Sequence, residues 1–214
     1  MNASELIETI NLEIMDDTLT RDRTLPFLNR AQRAIAKAVN FPDLITVREI
    51  ILVADQPSSP LPDDYQKNLF KSYVVSDGRE IDVMNSRKSL QDKYGSNKIS
   101  TGSVYAVAPE GRQLFCALIP KEDLQIEIHY YRYPDDLRDS TSSYPVVQDD
   151  PDMDDALMYW VKWKYYQFIE QGLEGQKPDT QYNLNEYLKA VRRLKLSFRE
   201  GVSLPDPPQV EPAW

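Results

Sequence analysis

The hydrophobic period changes twice along this chain, and no other feature of the sequence constrains the fold as strongly. Residues 3 to 40 repeat apolar residues at helical spacing. Residues 44 to 134 read mostly as strands, and residues 150 to 200 return to the helical period. A proline-rich tail follows and ends on Trp214. Helical segments at both ends of a chain, separated by a β-type middle, are expected to pack with each other. The predicted class is therefore α+β: a helical bundle formed by the N- and C-terminal segments, with an inserted small antiparallel β-sandwich or barrel-like module and an extended C-terminal tail. The expected boundaries are 1–43 plus 148–200 for the bundle, 44–147 for the β module and 201–214 for the arm.

Local signals support this division. Leu6, Ile10 and Ile14 share one face of a first helix, and Asn2 followed by Glu5 is a capping start. A second helix is expected from near Thr24, with Pro26 in its first turn, and it ends at Asn40-Phe41-Pro42. Strands are expected at Leu44 to Val53, Leu69 to Val75, Glu80 to Met84, Ser103 to Ala108, Gln113 to Leu118 and Leu124 to Tyr133. Gln56 to Pro62 holds three prolines and reads as a loop. Asp77-Gly78 fits a hairpin turn, and Ser86 fits the N-cap of a short helix. Asp150-Pro151 is a helix start, with Asp as cap and Pro at the first position. The last helix, from near Asp179, carries a seam of Leu184, Tyr187, Leu188, Val191, Leu194, Lys195 and Phe198.

Composition removes several function classes. The 214 residues carry a net charge of −9, which argues against a general nucleic-acid-binding surface. A single cysteine, Cys116, rules out an internal disulfide framework and a Cys-based zinc site. No signal peptide and no membrane-length apolar run is visible, so a soluble protein made in the cytosol is expected. There is no Gly-rich phosphate loop, and one histidine excludes an H-E-x-x-H site. A turn around Lys121 to Asp123 would set Cys116 and His129 opposite each other on paired strands, but neither lies in a catalytic motif. No enzyme activity and no cofactor is expected.

Contact-forming features stand out instead. Tyr159, Trp160, Trp163, Tyr165, Tyr166 and Phe168 crowd one helix. Trp160, Trp163 and Tyr166 lie along one side, and Leu157, Val161, Lys164 and Phe168 along another. Such a helix serves as a wide core face or is buried on a second side by a neighbouring subunit. Asp149, Asp150, Asp152, Asp154 and Asp155 form an acidic patch. It opens like a calcium loop, but Asp155 and Val161 stand where the loop needs Gly and Glu. The patch is thus a dipole-complementing helix start or a face for a basic partner or a DNA channel. Lys189, Arg192, Arg193, Lys195 and Arg199 gather near the end of the last helix, for dipole complementation or partner contact. In the tail, Val202, Leu204, Val210 and Trp214 space apolar groups along a proline-rich segment suited to a groove.

Several of these pieces, in order, resemble the head-to-tail connector adaptors of tailed bacteriophages, of the short-tailed type. They are the helix beginning Ser4-Glu5-Leu6-Ile7, then Leu28-Asn29-Arg30-Ala31-Gln32-Arg33-Ala34-Ile35-Ala36, then the turn Leu61-Pro62-Asp63-Asp64-Tyr65. The strand Ile126-Glu127-Ile128-His129-Tyr130-Tyr131-Arg132-Tyr133-Pro134 and the helix start Pro151-Asp152 complete the series. Glu110-Gly111-Arg112 departs from the family's usual glycines. The resemblance implies a virion protein forming a ring, commonly twelvefold, that joins the portal to the tail and lets DNA pass without sequence-specific binding. It implies as partners other copies of the chain, the portal, and the tail, nozzle or next connector. The partner-binding residues would be Trp160, Trp163, Tyr166, Lys189, Arg192, Arg193, Arg199, Leu204, Val210 and Trp214. The rival reading is a ligand- or glycan-binding β module on a helical base in a virion or surface assembly.

Overall fold

The computed structural model describes residues 1–16, 19–95, 100–171 and 177–198. The chain divides into two compact units, one of residues 1–41 with 136–214 and one of residues 42–135. Among the described residues the first unit holds helices α1 (Ala3–Ile14), α2 (Arg21–Ala38), α4 (Pro151–Ile169) and α5 (Pro178–Ser197). The second holds α3 (Arg87–Tyr94) and strands β1 (Ile45–Leu52), β2 (Ser58–Pro60), β3 (Tyr65–Val74), β4 (Asp82–Val83), β5 (Ala106–Glu110), β6 (Gln113–Cys116) and β7 (Leu124–Arg132). The class is α+β, as the change of period requires.

In the helical unit α1 starts on a full capping box: Glu5 N–H donates to the Asn2 side chain, and Asn2 N–H donates to the Glu5 carboxylate. Leu6, Ile7 and Ile10 are completely buried. Helix α2 begins at Arg21, three residues before the expected start, so Pro26 lies inside the helix rather than in its first turn. Leu28, Ala31, Ile35 and Ala36 form its buried face, and the small alanines let α4 approach. Two polar residues on α2 organise the segment that returns from the β unit. Asn29 donates to Leu137 O and accepts from Leu137 N, and Gln32 accepts from Val146 N. Ala3 N–H donates to Ser143 O, and Arg21 binds Asp139 with two nitrogens. Residues 136–147 therefore lie with the helices, whereas the sequence reading assigned them to the β module. Their backbone groups are satisfied by α1 and α2, which no local pattern reveals.

In the β unit two sheets share a core. The first has strand order β1-β7-β3 and is antiparallel throughout. The second has order β2-β6-β5-β4, with β4 and β5 parallel, so the expectation of purely antiparallel pairing fails at that one ladder. Neither sheet closes into a barrel. Leu52, Leu69, Val74, Ile126, Ile128 and Tyr130 from the first sheet meet Val107 and Leu114 from the second. The alternation along β7 sends Ile126, Ile128 and Tyr130 inward. The Leu61 to Tyr65 turn is fixed to β7 from several directions. Tyr130 donates its hydroxyl to Asp64, Tyr133 N–H donates to Asp64 O, and the Tyr65 and Tyr130 rings lie 5.4 Å apart. Burial and the Asp64 carboxylate both raise the Tyr130 pKa, so the phenol stays a donor. The β5–β6 hairpin turns on a two-residue loop whose first residue, Gly111, has φ 61°.

Candidate interaction surfaces

Helix α4 is the hub of the helical unit, packing on α1, α2 and α5. Asp150 caps it by accepting from the N–H groups of Asp152 and Met153, and Pro151 takes the first position. Only part of the aromatic content of α4 goes to the core. Trp160 and Tyr165 are buried, whereas Trp163 and Tyr166 are half-buried. The Trp163 ring stacks on Tyr187 of α5, with centroids 5.9 Å apart and planes at 17°, and meets Trp160 edge-on. The Lys164 ammonium lies 3.7 Å from the Trp163 centroid. Phe168, read from the sequence as part of a packed side, is 74% exposed, although α5 packs alongside that end of the helix through the Glu170–Thr180 hydrogen bond.

The acidic patch is engaged within the chain. The Met1 amine lies 2.8 Å from Asp154 and 4.0 Å from Asp149. The Asp154 hydrogen bond raises the amine pKa, while burial raises that of Asp154 itself. Arg193 of α5 reaches back across the helix pair to Asp152 at 2.5 Å and Asp155 at 3.1 Å. Lys189 pairs with Glu186 one turn earlier on its own helix. Two of the basic residues singled out from sequence are therefore balanced intramolecularly. Arg192 and Lys195 are exposed and have no hydrogen-bond or ion-pair partner among the described residues. The seam read along α5 narrows accordingly: Asn183, Tyr187, Ala190, Val191 and Leu194 are buried, and Leu188 and Lys195 are exposed. Arg199, Leu204, Val210 and Trp214 lie outside the described residues. On the other flank of α4, Lys162 pairs with Glu13 of α1, and Tyr165 donates to Asp16.

The β unit has a surface that sequence reasoning missed. The outer face of the β1-β7-β3 sheet carries Ile45, Val47, Ile51 and Phe70, all exposed, beside half-buried Tyr73 and His129. Irregular register between Lys67 and Lys71 turns Phe70 onto this face, where its ring meets His129 and Tyr131. The signal was present in the run from Ile45 to Ile51, which alternates apolar residues on both faces of an edge strand. Glu49, Gln125 and Glu127 are interspersed on the same face, so it is a mixed apolar and polar surface.

Cys116 and His129 belong to different sheets. Cys116 pairs with Val107, and His129 lies between Val47 and Lys71. Burial pushes the Cys116 thiol up to about 12, which is the opposite of what a nucleophile needs. The His129 ring is bound to Glu127, 2.7 Å away. Among the described residues no group of three or more acidic, His or Cys side chains is placed to hold a metal ion, and no helix is long and apolar enough to cross a membrane.

A family described as SU10 adaptor protein matches residues 1–206. The chain belongs to the SU10 adaptor protein family. That family is one of structural phage adaptors and not of enzymes, which makes this a structural virion component that assembles with other virion parts. No curated protein matches the chain. The match runs across both compact units, so the helix–sheet–helix layout belongs to the SU10 adaptor as a whole and not to one half of it.

Proposed function

We propose that this SU10 adaptor forms a ring of identical subunits that joins the portal of a filled capsid to the tail and lets the genome pass. The observation that carries the reading is that each compact unit exposes its own apolar surface. On the helical unit Phe168 and Ile169 are exposed at the end of α4, and Leu188 and Leu196 are exposed along α5; on the β unit Ile45, Val47, Ile51 and Phe70 are exposed on one sheet face. A connector needs separate contacts for its neighbours and for the components above and below it. The net charge of −9 suits a lumen that DNA passes without adhering. The arm from Pro205 to Trp214 would dock on the portal or on a neighbouring subunit, its prolines limiting the entropy lost on ordering.

Mixing the full chain with the portal of the same phage, followed by native mass measurement and electron microscopy, tests the ring. A closed ring on the portal is expected. A chain that stays monomeric and never binds the portal overturns the reading. Deleting Pro205 to Trp214 is expected to weaken attachment while leaving the melting curve unchanged.

A further inference from the structure

Two helices of the helical unit have outer stripes of opposite charge. On α1, Glu5, Glu8 and Leu12 follow at i, i+3 and i+7, which places them on one face, and Met15, the left-handed C-cap, comes directly after the helix. Leu12 is 65% exposed and Met15 87%. On α5, Leu188, Arg192, Lys195 and Leu196 follow at i, i+4, i+7 and i+8. Leu188 is 54% exposed and Leu196 59%. Each stripe thus sets two large apolar side chains beside charges of one sign, acidic on α1 and basic on α5. Charge complementarity of this kind between contact surfaces fixes the partner and its register.

Glu5 also accepts from Asn2 N–H in the capping box, but the other charges of the two stripes are not taken by hydrogen bonds or ion pairs among the described residues. Arg193 and Lys189 are held by Asp152, Asp155 and Glu186, which leaves Arg192 and Lys195 facing outward. On α1, Glu13 is taken by Lys162, whereas Glu8 makes no hydrogen bond or ion pair. Glu8 acts electrostatically on Arg21, whose guanidinium is occupied by Asp139 and Ser4. The two stripes also point in different directions. Helix α4 meets α1 through Lys162 and Tyr165, but meets α5 through Asp152, Asp155 and Trp163. Tyr165 and Trp163 lie about 160° apart round α4, so there the contacts with the α1 segment and with α5 leave on different sides, while Lys162 and Asp155, seven residues apart, share a face. Two complementary, non-identical faces on one unit form a heterologous contact that repeats from copy to copy and can close into a ring.

We infer that the Leu188–Arg192–Lys195–Leu196 face of one copy seats on the Glu5–Glu8–Leu12–Met15 face of the next copy. The inference rests on the ring reading and assigns its subunit interface. The occupant is a second copy because, in a chain of net charge −9, the matching acidic-apolar stripe is already present on the same unit.

The test is a charge swap in the full chain assembled on portal, read by native mass measurement against protein concentration. Arg192→Glu alone and Glu8→Arg alone are each expected to raise the concentration needed for assembly by about tenfold. The double variant, in which every copy has both charges exchanged, is expected to restore it. Melting curves confirm that these surface variants fold. A second readout uses Leu12→Cys with Leu188→Cys and a short bis-maleimide, which is expected to give a ladder of linked chains on a denaturing gel. If the native chain forms rings but the single reversals assemble equally well, or the double variant does not recover, this interface is wrong and the ring stands. If Arg192→Glu leaves the ring intact and only loosens it from the portal, the α5 stripe meets the portal and the inference fails. If the native chain forms no ring, the ring reading itself fails and takes this interface with it.

Discussion

At the scale of single residues, chemistry here follows placement more than identity. Cys116 and His129 are the two side chains that nucleophilic catalysis would recruit first, and the sequence puts both on strands. Which sheet each strand joins is decided by pairing across distant parts of the chain, and the two end in different sheets. Burial holds the Cys116 thiol up at about 12, so almost none of it is thiolate near neutrality. Iodoacetamide at pH 7.5 is therefore expected to modify the native chain roughly a hundredfold or more slowly than the chain unfolded in denaturant, because only the thiolate reacts. Rapid native labelling, followed by mass measurement, would contradict the buried placement. Asn29 and Gln32 show the same dependence on position. As polar residues on a helix they read as surface, but each completes a hydrogen bond to the returning segment. A buried polar side chain is informative only once its partner is known, and that partner lies more than a hundred residues away.

At the scale of elements, termini were the most legible parts. The capping box at Asn2, the Ser86 cap on α3 and the Asp150-Pro151 start of α4 are each local exchanges between a side chain and the next turn's amides. The Asp150 carboxylate accepts from two N–H groups, so Asp150→Ala is expected to cost about 1 kcal/mol. In a chain of this size that corresponds to a fall of roughly 2–4 °C in Tm by calorimetry. Asp149→Asn, at a neighbouring exposed position with φ 53°, is expected to leave Tm within about 1 °C, since Asn tolerates that backbone region. Elements whose existence depends on neighbours were less legible. Strand β2 falls within the three-proline stretch that reads as a loop. It survives as a strand because it lies at the edge of its sheet, where Pro60 needs no ladder N–H. The start of α2 moves to Arg21, an exposed residue whose guanidinium is held by Asp139 and Ser4.

At the scale of the whole molecule, the β unit is an insertion with both ends at one place. Ile45 near its start pairs with Tyr131 near its end. The unit also has its own core, built from Leu52, Ile126, Ile128, Tyr130 and Leu114. A fragment of residues 42–135 is therefore expected to fold alone and melt in a single cooperative transition. A fragment that shows only gradual loss of signal would mean that the helical unit is needed to complete the β core. The insertion leaves and re-enters at adjacent strand ends, and each unit has its own core. Two units with separate cores suit the connector proposed above, which would hold its neighbours with one set of contacts and meet another component with a different set.

The sequence by itself determined the α+β class, the order of helices and strands, the caps and the family, because each rests on short-range periodicity, capping chemistry or linear order. Only the tertiary structure decided which charges are free. Asp152, Asp155 and Arg193 neutralise one another across the α4–α5 pair, Asp154 holds the Met1 amine, and Arg192 and Lys195 are left facing outward. The tertiary structure also decided that Phe70 joins the open face of the first sheet and that Leu188 leaves the seam of α5. A side chain's neighbours across a fold are set by the packing of elements far apart in the chain, and a linear pattern records only the neighbours along its own turn or strand.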